Sequence, residues 1–256
     1  MNSYSQSVQP DLCTPDANPL PVWKRALDIV SSLAALPVLL PLVTIIAMIT
    51  KVSSPGPVLF KQSRIGLRGK QFLCYKFRTM KMNADTTAHQ AYLNQLMGSN
   101  APMVKMDAKR DSRLIPGGWL LRATGLDELP QIINVLRGEM SLVGPRPCIP
   151  YEYENYTIWQ KQRFTSLPGL TGLWQVSGKN KTTFSEMIHL DIQYANKKSL
   201  WLDLKIMVMT APALLQQVIE TRISRKVAAP ATTIITPQVS PDVEPQAQPA
   251  TRLSLV

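Results

Sequence analysis

The sequence predicts a mixed α/β fold that is mostly helical, with a small β-hairpin, an N-terminal membrane helix and amphipathic helices at the membrane surface. Three observations predict it: an apolar run without charge at 29–50, several later segments with helical spacing of apolar residues, and two β-rich segments around a glycine turn. The 256 residues are enough for one domain with extensions or for two small domains.

The apolar run forms most of a predicted membrane helix, which we place at residues 22–52. It is long enough to cross a bilayer, and its late start argues against a cleavable signal peptide. Pro37 and Pro41 lie near its middle, where each removes a helix hydrogen bond and favours a bend. Basic residues flank both ends, which predicts that both ends are cytoplasmic and that the helix is re-entrant. A straight span and a buried soluble helix are the alternatives.

The remaining chain divides by composition. We expect a flexible tail at residues 1–21, a folded domain at 53–225 and a disordered tail, poor in charge and rich in proline and alanine, at 226–256. Within the domain, the segments 58–60 and 72–77 predict a hairpin. Helical spacing predicts further helices at 82–96, 119–122, 151–163, 185–195 and 199–219, the last interrupted by Pro212.

The overall charge points to an anionic partner. The formal net charge is +11 and the pI is near 9.7, which suits nucleic acid, anionic lipid or a phosphorylated substrate. Three cysteines, Cys13, Cys74 and Cys148, are far apart and odd in number, which argues against a disulfide scaffold and against a zinc site.

Two adjacent carboxylates, Asp127 and Glu128, open one of the helical segments. One interpretation is structural: such acids complement the helix dipole, and Thr124 with Asp127 would form a capping box. The other is catalytic, because adjacent helix positions point in different directions and could divide the roles of nucleophile and metal ligand. Attack on a diphosphate needs Mg²⁺ and cationic side chains, and oxygen ligands with only two histidines favour Mg²⁺ over zinc.

Cationic side chains surround this dyad in the sequence. Arg122 precedes it, and Arg146 stands between two prolines that restrict its backbone. Lys76 and Arg78 alternate with aromatic residues on a predicted strand, so both would face one side. A surface turn for Arg146 and a solvated strand face for the other two are the structural alternatives. Asp191, on a helix of mixed polarity, is expected to be exposed.

Seven segments, taken in order, resemble a known family. Over residues 22–215 the chain resembles the bacterial sugar transferases, the monotopic polyprenol-phosphate phosphoglycosyl transferases. The segments are Lys24-Arg25-Ala26-Leu27-Asp28, Gly56-Pro57-Val58-Leu59-Phe60-Lys61-Gln62, Tyr75-Lys76-Phe77-Arg78-Thr79-Met80, Leu126-Asp127-Glu128-Leu129-Pro130-Gln131, Gly138-Glu139-Met140-Ser141-Leu142-Val143-Gly144-Pro145-Arg146-Pro147, Pro168-Gly169-Leu170-Thr171-Gly172-Leu173-Trp174-Gln175-Val176 and Leu202-Asp203-Leu204-Lys205-Ile206.

The resemblance implies a reaction for the domain at 53–225. A sugar-1-phosphate would move from a UDP-sugar to undecaprenyl (polyprenol) phosphate, releasing UMP and initiating exopolysaccharide assembly. Asp127 matches the family's nucleophile, which carries a covalent sugar-phosphoryl intermediate, and Glu128 matches the acid linked to Mg²⁺. We therefore expect both to be metal ligands. Arg122 matches a phosphate-binding arginine and Arg146 an arginine associated with the nucleotide substrate.

Two positions depart from the family's pattern. Lys179 stands where many members carry arginine, so it keeps the charge of a phosphate contact but loses bidentate geometry. Pro41 matches the proline at which the family's membrane helix breaks, but Leu40 precedes it in place of the usual serine, and Pro37 is a second candidate. The resemblance also implies a monotopic location in the bacterial inner membrane, in contact with membrane lipids and with the active site on the cytoplasmic face.

Alternatives stay open beside this interpretation. A basic membrane-tethered nucleic-acid-binding module is one, although aromatic residues make up only 7% and no nucleic-acid motif is present, so we expect no nucleic acid as a partner. A non-catalytic scaffold is another, and the intact dyad argues against it. An unmodified hexose is favoured as the sugar because the 111–131 pattern is similar to exopolysaccharide-initiating members, with an N-acetylhexosamine as the alternative. The sequence does not decide the oligomeric state, and a homodimer is one possibility.

Overall fold

The structure is a computed structural model that describes residues 20–82, 87–99, 101–103 and 111–227. Most of the two predicted tails, 1–19 and 228–256, lies outside the described residues, and so does Cys13. The predicted fold class is confirmed: the described chain is mostly helical, with small sheets. Its strands are β1 (Leu59–Ile65), β2 (Gln71–Phe77), β3 (Ser141–Val143) and β4 (Gly169–Thr171).

Nine α-helices lie in the described part of the chain. Short 3₁₀ turns join several of them, and one, Leu126–Gln131, contains the two adjacent carboxylates and is called the dyad turn below. The α-helices are α1 (Val22–Ser53), α2 (Thr87–Met97), α3 (Gly118–Thr124), α4 (Ile132–Arg137), α5 (Pro150–Glu154), α6 (Ile158–Lys161), α7 (Leu173–Val176), α8 (Phe184–Lys197) and α9 (Leu200–Val227).

The predicted hairpin is confirmed. β1 and β2 pair in antiparallel register from Leu59 opposite Phe77 to Ile65 opposite Gln71, so β1 is longer than the three residues predicted for it. The connection closes tightly because Arg68 and Gly69 both adopt positive φ, 56° and 73°. This hairpin lies against the dyad turn and forms one side of the site described below.

A second, parallel pair of strands was not predicted from the sequence. Gly144 N donates to Thr171 O at 2.9 Å and Gly169 N donates to Pro145 O at 2.9 Å, which brings β3 and β4 together next to the Pro-Arg-Pro segment. A Cβ on Gly144, Gly169 or Gly172 would fall on backbone atoms of the facing strand, closer than real Cβ atoms come. Glycine is needed here for close backbone approach rather than for a turn.

The helix α1 packs on the domain at its two ends only. Its buried residues are Lys24, Asp28 and Ser32 near the start and Ile46 and Thr50 near the end, and no residue from 33 to 45 is buried. Both prolines lie in that unburied middle, inside one continuous helix. The helix is long and apolar enough to enter or cross a membrane. That it turns back within the bilayer stays a prediction.

The first and last of the seven segments meet in the fold. The Lys24 ammonium is buried and donates to Val143 O at 2.6 Å, to the Tyr194 hydroxyl at 2.8 Å and to the Asp203 carboxylate. Asp28 Oδ1 accepts from the Ser141 hydroxyl at 2.8 Å and from the backbone N–H of residue 142 at 2.9 Å. A buried ion pair thus fixes the start of α1 to α9 and β3.

The main apolar core lies between β1 and the helices α5 to α8. Cys148, the residue after the Pro-Arg-Pro segment, belongs to it, so the core anchors the end of that segment. The buried side chains of this core are Ile65, Cys148, Tyr156, Phe164, Trp174, Phe184, Met187, Ile188 and Ile192.

Three local predictions were wrong. Thr124 does not cap the next helix, because it is the last residue of α3. Its hydroxyl donates back to Leu120 O and Leu121 O, and Gly125 then reverses the chain at φ 73°. The predicted helix at 151–163 is broken, because Thr157 starts a new helix with a capping box. Pro212 does not interrupt α9, which runs through it to Val227 and so includes the first two residues of the predicted C-terminal tail.

Candidate active site

The dyad turn places the two carboxylates differently. Gly125, at φ 73°, reverses the chain after α3, and Glu128 N donates to Gly125 O at 3.0 Å, which starts the 3₁₀ turn. Asp127 is 8% exposed, so its carboxylate is nearly enclosed, whereas the Glu128 side chain is 39% exposed. The two acids therefore have separate environments, as expected for adjacent positions on a helical turn.

Strand β2 supports the dyad turn. The Lys76 ammonium lies 2.6 Å from Glu128 Oε1 and forms a half-buried ion pair with it. Asn134 is fully buried below the turn: its amide donates to Leu73 O at 2.7 Å and to Glu139 Oε2 at 2.6 Å, and its Oδ1 accepts from Tyr75 N at 3.2 Å. Asn134 thus attaches α4, which follows the dyad turn, to β2. Its position among apolar residues in the sequence did not indicate this role.

Arg146 of the Pro-Arg-Pro segment lies over a buried carboxylate. Its guanidinium donates to Glu152 Oε2 at 3.1 Å, and Glu152 is completely buried. Burial alone would raise the pKa of Glu152, but the surrounding guanidinium groups, led by that of Arg146, outweigh burial and hold this pKa below its usual value. Glu152 therefore stays ionised and orients Arg146.

A second buried arginine holds the backbone of the same segment. Arg163 donates to Arg146 O at 2.7 Å and to the Tyr156 hydroxyl at 3.0 Å, and it forms an ion pair with Asp191. The predicted exposure of Asp191 was wrong: it is fully buried. A signal was present, because position 191 falls on the apolar face of α8 with Met187, Ile188 and Ile192.

Lys179 lies on the loop before α8 and is linked to α9. Its Nζ donates to Gln217 Oε1 on α9 at 2.8 Å. Burial lowers the pKa of Lys179; the carboxylates of Glu128 and Asp127 oppose that shift, and the cations of Lys76 and Arg146 add to it. The charged groups that influence the pKa of Lys179 thus include four other predicted site residues: Lys76, Asp127, Glu128 and Arg146.

Arg122 and Arg78 are placed differently from these five. Arg122 lies in the last turn of α3, just before the dyad, and its carbonyl accepts from Gln217 Nε2 at 3.2 Å. Arg78 is 5% exposed and its guanidinium donates to Ser54 O at 2.8 Å and Pro55 O at 2.7 Å. The contacts that the structure gives Arg78 hold the end of α1, and its predicted phosphate contact stays a prediction.

The donor set of the dyad fits a magnesium ion better than a transition metal. Among the described residues, no group of three or more histidine, cysteine, aspartate or glutamate side chains is placed to hold a metal. Mg²⁺ does not need such a cage, because it is commonly held by one or two carboxylates together with substrate phosphates and water. Asp127 and Glu128 supply two carboxylates of that kind.

Comparison with known proteins places most of the chain in one family of sequences. The sequence model of the family described as "Bacterial sugar transferase" matches residues 20–217. That range contains the start of α1, the dyad turn, the Pro-Arg-Pro segment and Gln217 of α9, so every element of the candidate active site lies inside the match.

Individual relatives are similar over the same region. A galactosyl transferase of Streptococcus agalactiae is 41% identical over 76% of this chain and 42% of its own length. An exopolysaccharide production protein of Sinorhizobium fredii is 37% identical over 75% of this chain and 85% of its own. A UDP-glucose:undecaprenyl-phosphate glucose-1-phosphate transferase of Xanthomonas campestris is 41% identical over 77% and 39%. The chain thus spans about two fifths of two of these relatives and most of the other.

Proposed function

The chain belongs to the bacterial sugar transferase family, and from that premise we propose that it transfers a hexose-1-phosphate from a UDP-sugar to undecaprenyl phosphate. The observation that carries the proposal is the nearly buried Asp127 beside the ion pair of Glu128 with Lys76, with Lys179 under the electrostatic influence of both acids and of Arg146. A carboxylate nucleophile approaching a diphosphate needs such cations, because both reactants are anionic.

The proposed reaction has two displacements at one phosphorus atom. In the first, a carboxylate oxygen of Asp127 bonds to the β-phosphorus of the UDP-sugar, the bond to the bridging oxygen breaks, and UMP leaves with that electron pair. In the second, a phosphate oxygen of the polyprenol phosphate bonds to the same phosphorus and Asp127 is released as a carboxylate. The product is a polyprenol diphosphate sugar, and the enzyme returns to its starting state.

The surrounding residues have separable roles in this scheme. Glu128, held by Lys76, would orient the reacting phosphates, while Arg146, fixed on Glu152, binds the anionic donor. Asp127 and Glu128 would hold a Mg²⁺ ion, which supplies charge neutralisation at the diphosphate when bound. Arg122 precedes the dyad closely enough in the chain to add a further phosphate contact.

The membrane helix gives this ping-pong order a physical reason. One substrate is soluble and the other is a lipid, so a covalent intermediate lets them react at different times. We propose that α1 enters the inner membrane and turns back at Pro37 or Pro41, with the domain on the cytoplasmic face. The unburied middle of α1 and the exposed Trp201 at the start of α9 support contact with lipid.

The donor sugar is proposed to be an unmodified hexose. The relatives named above for galactosyl and glucose-1-phosphate transfer support this choice over an N-acetylhexosamine. The relative named for exopolysaccharide production supports a role at the start of exopolysaccharide assembly.

The test is UMP release from the purified protein in nanodiscs with Mg²⁺, across UDP-glucose, UDP-galactose and their N-acetylated forms, with and without undecaprenyl phosphate. We expect sustained release only with the lipid acceptor, strongest with one hexose donor, and loss of release in Asp127→Asn. Glu186→Gln is the matched control, because this exposed acid only caps α8. Full release from Asp127→Asn, or none from any donor with the wild-type protein, would contradict the proposal.

A further inference from the structure

We propose that Gln217 of α9 is a positioning residue for the active site: it holds the Lys179 ammonium toward the dyad and fixes the end of α3 just before it. This inference rests on the proposed function, because it assigns Lys179 to the anionic donor. It adds a part of the chain, the long C-terminal helix, that neither the dyad nor the Pro-Arg-Pro segment includes.

Gln217 uses both ends of its amide. Its Oε1 accepts from Lys179 Nζ at 2.8 Å, and its Nε2 donates to Ala123 O at 2.7 Å and to Arg122 O at 3.2 Å. The side chain is 5% exposed, whereas Leu215 and Ile219 on either side of it are 66% and 57% exposed. A buried amide with all its contacts directed at one site is a specific bridge rather than a solvated surface group.

The lysine that Gln217 holds sits on a strained loop. Lys179 has φ 35°, in the left-handed region that residues with a side chain seldom adopt, and it follows Gly178 at φ 111°. The loop persists because its surroundings hold it: the Thr182 hydroxyl donates to Lys179 O at 2.8 Å, and Trp174 Nε1 donates to that hydroxyl at 2.6 Å. These contacts fix the backbone of Lys179, and the hydrogen bond to Gln217 fixes its ammonium.

Helix α9 holds the same loop at a second point. Lys181 lies 3.2 Å from Glu220, one turn beyond Gln217 on the same face of α9. The loop and the last turn of α3 are therefore both attached to one helix, whose other side carries exposed apolar residues. If the exposed apolar side of α9 contacts the membrane, the position of α9 there would also set the positions of Lys179 and of the end of α3.

A double-mutant cycle tests the bridge. We expect Gln217→Ala to lower kcat/KM for the UDP-sugar about tenfold in the wild-type background but only about threefold in the Lys179→Ala background, where only the support of α3 is lost. Gln216→Ala is the matched control, since this neighbour is exposed and its amide donates to Glu220 of the same helix rather than to Lys179 or to α3. Gln217→Met, which keeps the side-chain volume without hydrogen bonds, should behave like Gln217→Ala. Equal losses in both backgrounds would overturn the inference, because they indicate a general loss of stability.

A second readout does not depend on turnover. The rate at which an amine-reactive reagent acetylates Lys179, measured by mass spectrometry without substrate, should rise severalfold in Gln217→Ala and stay unchanged in Gln216→Ala. An unchanged rate in Gln217→Ala would overturn the bridge even if the enzyme is active. If the wild-type protein releases no UMP but Lys179 acetylation rises as expected, the proposed function fails and the bridge stands.

Discussion

Replacing Lys24 by methionine should destabilise the folded protein by about 3–5 kcal/mol. The Lys24 ammonium is 1% exposed and has three partners, namely Val143 O, the Tyr194 hydroxyl and the carboxylate of Asp203, which is itself fully buried. Methionine fills much of the same volume, so little cavity forms. The cost comes from leaving Asp203 ionised and buried without its cation.

The assay is unfolding by guanidinium chloride in detergent micelles, followed by tryptophan fluorescence. A loss of that size should lower the midpoint by about 1 M, given slopes of a few kcal/mol per molar for a domain of this length. The double variant Lys24→Met/Asp203→Leu should recover most of the loss, because no buried charge is then left alone.

Lys51→Met is the matched control on the same helix. Lys51 is exposed and its only contact in the described structure is a long one to Gly56 O, so we expect a change within about 0.5 kcal/mol. A Lys24→Met midpoint equal to that of Lys51→Met, or a double variant as unstable as the sum of the two single ones, would show that the buried ion pair does not stabilise the fold.

Three further predictions concern the strand pair, a buried thiol and the pH profile. Gly169→Ala should prevent stable folding, since its Cβ would meet the backbone of Gly144. Gly98→Ala should be neutral, because a Cβ there makes only ordinary contact. The expression level and the thermal unfolding temperature of the two variants test this difference. Burial raises the pKa of Cys148 to about 12, so iodoacetamide at pH 8 should label it only in denaturant, as mass spectrometry would show; labelling of the native protein would contradict this. Burial lowers the pKa of Lys179, so this side chain loses its charge at a lower pH than an ordinary lysine does. kcat/KM should fall as the pH rises through that pKa, and Lys179→Arg should move the fall to higher pH. A pH profile that is the same in Lys179→Arg would count against phosphate binding by Lys179.

The residues proposed to carry the chemistry could be identified from the sequence because each stands in a short local pattern. Asp127 and Glu128 are adjacent, Arg146 is framed by prolines, and Lys76 alternates with aromatic residues on a strand that the structure confirms. Local spacing predicts which side chains share a face of a strand or helix. Lys76 and Glu128 then form their ion pair because the hairpin packs against the dyad turn.

The residues that support the site were missed because their partners are far away in the chain. Asn134 and Gln217 look like ordinary polar residues in helices until the fold brings β2 and the end of α3 to them. The same holds for Lys24, which belongs to the basic flank of the membrane helix and to the first of the seven segments, and which is buried against Asp203, far along the chain.

The two helix boundaries that were wrong have different causes. Apolar spacing continues across Asn155 and Thr157, but the hydroxyl of Thr157 caps a new helix and breaks the pattern. At Pro212 the local signal favoured an interruption, yet contacts on both sides, such as those of Ile206 and Gln217, keep α9 helical. Tertiary contacts outweigh local preference in the second case, and a side-chain hydrogen bond outweighs periodicity in the first.

Covalent transfer through Asp127 is tested most directly by intact-protein mass spectrometry, after the enzyme is mixed with UDP-sugar and Mg²⁺ in the absence of lipid acceptor and quenched with acid. We expect an added mass of one hexose phosphate, located on the peptide that contains Asp127 and removed when polyprenol phosphate is added before the quench. Active enzyme that never carries this mass, or Asp127→Asn that carries it at the wild-type level, would show that Asp127 does not form the covalent intermediate.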